Sequence, residues 1–98
     1  MTEQECLEII HNGEVDAYDL LFEADPNLIK RFNRTCNTMK KLLDDVQKHF
    51  PDACYYTASG GFHLMLGNSH ASDVGCTSQR ELVAIGASNG LSVGDGDF

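Results

Sequence analysis

The sequence predicts an α+β fold: two short helices and one long helix, then a four-stranded antiparallel β-sheet packed on the long helix. Three observations carry this. Up to Phe50 the apolar residues recur every three or four positions, the period of an amphipathic helix. Beyond Pro51 they alternate with other residues, the period of a half-buried strand. Near the end, Asn89-Gly90 stands between two apolar runs, the strongest short-range hairpin signal. All 98 residues are expected to form a single domain.

Thr2 and Glu5 have the spacing of a capping box, so a first helix is expected from Glu3. Cys6, Ile9 and Ile10 make its apolar stripe, and Gly13 ends it. Asp16 and Asp19 resemble a second cap, and Ala17, Leu20, Leu21 and Ala24 outline a short second helix to about Glu23. Two helices about Gly13 suit a helical hairpin. A DNA-reading helix-turn-helix is a poor fit, because residues 1–25 hold eight acids and neither Lys nor Arg.

Asp25-Pro26 combines an N-cap carboxylate with proline at the first helical position. The apolar series Ile29, Phe32, Cys36, Met39, Leu43, Val46, Phe50 then advances in alternating steps of 3 and 4. This is a heptad seam, broadened on one side by Leu28 and Leu42. Pro51 stops it. A helix over 26–50 would be roughly 37 Å long at 1.5 Å per residue. Such a seam can lie across the sheet as the monomer's core or pair with its copy in a homodimer. Its breadth, and the poor zipper residues Thr35 and Cys36, favour the sheet.

Strands are expected at Ala53–Ala58, at Phe62–Leu66 after a Ser59-Gly60-Gly61 turn, at Glu81–Ser88 and at Leu91–Val93. Phe62, Leu64 and Leu66 would share one face, as would Val83, Ile85 and Ala87. Between the second and third strands, residues 67–80 are small and polar, and too numerous for a tight hairpin. They read as a surface loop, the kind of segment that carries contacts on a rigid scaffold.

Charge is segregated along the chain. Residues 1–25 carry a net −8, residues 26–50 a net +4 and the remainder a net −4, where Arg80 is the single base. Arg34, Lys41 and Lys48 recur at seven-residue spacing on the helix face away from the seam, with Lys30 and Arg31 beside them. A whole-chain charge of −8 opposes direct nucleic-acid binding at long range. The acidic arm offers the reverse role, imitating a phosphate track in the groove of a nucleic-acid-binding protein. No apolar run is long enough to span a membrane and no secretory signal is visible. A cytoplasmic location is therefore expected, with Cys6, Cys36, Cys54 and Cys76 as reduced thiols.

No constellation for catalysis stands out. Cys54, His63, His70 and Cys76 have zinc-ligand chemistry, but none of them form the close pairs that structural zinc sites use. Cys76 with His63 or His70 could make a thiolate–imidazole pair, the basis of a small Cys/His hydrolase as an alternative reading. Asp95-Gly96-Asp97 lacks the rest of a calcium loop, and neither Ser59-Gly60-Gly61 nor Gly94-Asp95-Gly96 has the Lys and helix of a phosphate loop. No cofactor, metal or catalytic residue is expected. The expected partner-binding residues are Lys30, Arg34, Lys41 and Lys48 on the helix, with His70 and Cys76 on the loop.

The segment Ala58-Ser59-Gly60-Gly61-Phe62-His63-Leu64-Met65-Leu66-Gly67 and the ending Gly94-Asp95-Gly96-Asp97-Phe98 resemble small acidic accessory proteins of enterobacterial phages and prophages. That resemblance implies a host-interaction or regulatory protein that acts by binding. It assigns no site residue.

Overall fold

The computed structural model describes residues 1–58, 60–72, 75–87 and 91–94. It is an α+β structure with three helices preceding an antiparallel sheet. The chain divides into two compact units, Met1–Lys40 and Lys41–Phe98.

The first unit begins with α1, Glu3–His11, and α2, Ala17–Ala24. Each starts in a reciprocal capping box. Thr2 Oγ1 accepts from the Glu5 amide at 3.2 Å, and Asp16 Oδ1 accepts from the Asp19 amide at 2.9 Å. Glu5 and Asp19 return the bond to the Thr2 and Asp16 amides, so two amides without helical partners are satisfied at each end. Gly13 sits at φ 82° just after α1, a conformation that suits a residue without Cβ. The facing apolar stripes of α1 and α2 leave a hollow lined by Cys6, Ile10, Leu20 and Leu21.

The long helix α3 spans Pro26–Gln47. Asp25 Oδ1 accepts from the Asn27 amide at 2.9 Å, as an N-cap carboxylate should. The last turn closes on Val46, whose carbonyl accepts from the amides of His49 and Phe50. Helix therefore ends three residues before Phe50, and Pro51 begins the connection to the sheet. Gln47 Nε2 donates to the Ala53 carbonyl at 2.9 Å and ties that connection to the helix.

In the second unit the sheet runs in the order β1, β2, β3, with β1 at Cys54–Ala58, β2 at Gly61–Met65 and β3 at Val83–Ala87. The register pairs Tyr56 with His63, Ala58 with Gly61, and His63 with Gly86. Two residues, Ser59 and Gly60, connect β1 to β2, and Gly60 takes φ 73°. A 3₁₀ turn over Arg80–Leu82 leads into β3.

Three expectations need correction. The sheet has three strands, not four: among the described residues Leu91-Ser92-Val93 is not a strand, while the proposed Asn89-Gly90 turn lies outside them. Val83, Ile85 and Ala87 do not share a face. Met65 pairs with Val83 but Leu64 pairs with Ile85, so Ala84 is an extra residue and a bulge reverses the facing of what precedes it. Nor does α3 supply a buried core, since none of its residues is buried. The only apolar side chains buried among the described residues are Ala53 and Met65.

Candidate functional site

The candidate site is built on one face of the sheet. Alternation along antiparallel strands puts Tyr56 and Ala58 of β1 on the same face as Gly61, His63 and Met65 of β2. The bulge adds Val83 to that face, beside Met65. Ser69, His70, Ser78 and Arg80, from the segment that follows β2, border that face. His70 and Ser78 form an isolated antiparallel bridge. The Ala71 amide donates to the Thr77 carbonyl at 2.7 Å, and the Gln79 amide to the Ser69 carbonyl at 2.8 Å. Gln79 Nε2 adds a bond to the Asn68 carbonyl at 2.9 Å.

Loop and sheet face border a partly open cavity of about 390 Å³. Its polar lining is Tyr56, His63, Ser69, His70, Ser78 and Arg80. Ala58, Met65 and Val83 make the apolar part. Within the loop, Ser69 Oγ lies 3.0 Å from His70 Nδ1, and the His70 ring meets Tyr56 edge-on at a centroid distance of 6.4 Å. These contacts orient the His70 imidazole at the rim.

The His63 imidazole is held by two glycines. A Cβ on Gly61 would lie 2.9 Å from its Nε2, and a Cβ on Gly86 would lie 3.1 Å from its Nδ1. Any larger residue at either position would displace the ring. The strands are therefore locally bare where the ring lies, a known use of glycine in strands. His63 Nδ1 is shielded from solvent and has no hydrogen-bond partner among the described residues. A shielded nitrogen left so costs about 1–3 kcal/mol.

On the opposite face, Tyr55 stacks on Phe62 at a centroid distance of 5.2 Å. Burial pushes the Tyr55 phenol above its ordinary pKa.

The residues expected from sequence fall in several places. His70 lines the cavity. Cys76 is exposed at φ 46°, and among the described residues it makes no hydrogen bond to His63 or His70. Lys30, Arg34 and Lys41 are exposed along α3, and Lys48, also exposed, lies one residue past its end, where its Nζ meets Asp45 Oδ1 at 3.0 Å. Among the described residues no group of three metal-ligand side chains converges. Cys54 Sγ instead donates to the Gly67 carbonyl at 3.5 Å. Tyr56, Ser69, Ser78 and Arg80 were missed as site residues. Two signals pointed to them: the period that aligns Tyr56 with His63, and the isolation of Arg80 as the one base outside residues 26–50.

Comparison with models of protein families, with curated proteins and with solved structures gives no match. Among the described residues no helix is long and apolar enough to cross a membrane.

Proposed function

We propose that this chain is a non-enzymatic, regulatory protein-binding module that works as a homodimer through the α3 seam. The carrying observation is that the seam is incompletely covered. None of its residues on α3 is buried, and Phe32 is 68% exposed although it belongs to the most regular apolar pattern in the chain; Leu42, flanking that pattern, is 52% exposed. A second copy is the occupant that fits a heptad. Taking Ile29, Cys36 and Leu43 as a positions puts Phe32, Met39 and Val46 at d. In a parallel pair Lys40 would then face Thr35 of the partner, so no like charges oppose each other across the seam.

The same register places Arg34 and Lys41 at f, on the outside of the pair, and Lys48 follows just past the end of α3. That row, with Lys30, would remain available to an acidic surface of a host protein, the role implied by the resemblance to phage accessory proteins. His70 and Cys76 on the 67–80 loop would add contacts.

Molar mass from light scattering over a range of concentrations tests the dimer. Twice the 10.8 kDa chain mass is expected at micromolar concentration, in the presence of reductant. Replacing Met39 and Val46 together by Glu should return the mass to one chain with helix content retained. A wild-type mass of one chain throughout would sink the proposal.

A further inference from the structure

We infer that the cavity under the 67–80 loop is a binding site for a small organic anion, with an apolar body and a phosphate or carboxylate head. This goes beyond the protein-binding role and rests on different residues.

Composition is the first argument. The chain carries 15 acids against seven Lys and Arg, yet no acid is among the described residues lining the cavity, and Arg80 is. Its remaining polar groups are the hydroxyls of Tyr56, Ser69 and Ser78 and the imidazoles of His63 and His70. Among the described residues Arg80 makes no ion pair. A guanidinium beside neutral donors suits an oxyanion, because charge-assisted bonds to it are short and directional. It suits a cation badly, since no carboxylate is among the described residues that line the cavity.

Shape is the second argument. At about 390 Å³ the cavity falls toward the small end of the usual range for small-molecule sites, about 300–1,000 Å³. A protein segment or nucleic-acid strand needs a groove open along its length. Ala58, Met65 and Val83 give the ligand an apolar surface, and the Tyr56 ring offers an aromatic wall. A ligand with an apolar body and a single anionic head would use both halves.

Local construction is the third. Gly61 and Gly86 leave room for the His63 ring and for no side chain of their own. The Nδ1 of that ring is shielded and meets no protein hydrogen-bond partner among the described residues, and such an atom calls for an explanation, a bound water or ligand among them.

The probes are phenyl phosphate, benzoate and neutral benzyl alcohol, titrated into the full-length chain by calorimetry and by NMR of the histidine ring protons. Phenyl phosphate or benzoate should bind at millimolar concentration or tighter, shifting the His63 and His70 ring signals. Benzyl alcohol should bind at least tenfold more weakly. The stronger of the two acids identifies the head group. Arg80→Gln should weaken binding at least tenfold, Arg80→Lys should restore part of it, and Arg31→Gln should leave it unchanged. Should Arg80→Gln fail to fold, the wild-type ring shifts decide alone. Absence of binding by both acids overturns the inference. So does equal loss with Arg31→Gln, which would mark a nonspecific charge effect, or binding that leaves the histidine rings unmoved.

Discussion

At the scale of single residues, the contact between His63 and Gly86 is a tight constraint in the sheet. The two are register partners, and a methyl on Gly86 would sit 3.1 Å from the imidazole Nδ1. Gly86→Ala favours strand backbone but must push the ring aside, and overpacking of this kind typically costs about 1–3 kcal/mol. The expected outcome is a lowered denaturation midpoint together with displaced His63 ring signals. An unchanged midpoint would mean that the ring moves at no cost. Tyr55 gives a second test at this scale. Its folded-state pKa is raised by burial, so the folded form holds the phenol proton more tightly than the unfolded chain does. Stability from this source is intact below the unfolded phenol pKa, near ~10, and falls as pH rises through the folded value. Thermal melts from pH 8 to 11 should show a smaller alkaline loss for Tyr55→Phe than for the natural chain. Equal losses would assign the alkaline effect to other groups.

At the scale of elements, helix starts were the most legible part of the sequence. Thr2/Glu5, Asp16/Asp19 and Asp25-Pro26 each gave the first residue of a helix, because caps are short-range and their partners lie within three positions. The strands were legible to within two residues on each side, since turn residues bracket them. Facing in β3 was not. A bulge at Ala84 follows from how β3 meets β2 and leaves no mark in a single strand's alternation. The fourth strand failed for a related reason: Leu91-Ser92-Val93 has strand-forming residues, but pairing is decided by a neighbour that local pattern does not reveal. The cavity was legible only in fragments. His70 was singled out as a loop residue, whereas its union with Tyr56, His63 and Arg80 depends on the fold-back of residues 66–80. That fold-back rests on bonds such as Gln79 to Ser69, which join positions ten apart. The seam of α3 is legible as a pattern, but its burial is not: Ile29, Met39, Leu43 and Val46 are half-buried, whereas Phe32 is largely uncovered.

At the scale of the whole molecule, two forces could join copies of this chain, and they respond oppositely to salt. The heptad seam is apolar, and salting strengthens or leaves unchanged the burial of Phe32, Met39 and Val46. Residues 1–25 carry a net −8 and residues 26–50 a net +4, so an acidic arm on a basic helix would also attract a second copy. Exposed charges of that kind are screened as the Debye length falls from about 10 Å at 0.1 M to about 3 Å at 1 M. Light scattering from 0.05 to about 1 M NaCl therefore separates the two. Assembly through the seam predicts a mass that stays at the dimer value or rises toward it with salt. Steady dissociation with salt would instead assign assembly to the charged arm and face. The basic row of Arg34, Lys41 and Lys48 would then be engaged within the dimer, leaving the 67–80 loop as the available partner surface. Reversing Lys41 and Lys48 to Glu checks the assignment from the other side. With seam assembly the mass holds, because Lys41 lies at an outer position of the heptad and Lys48 just past the end of α3. With charge assembly, the reversal dissociates the dimer even at 0.05 M salt, where screening is weakest.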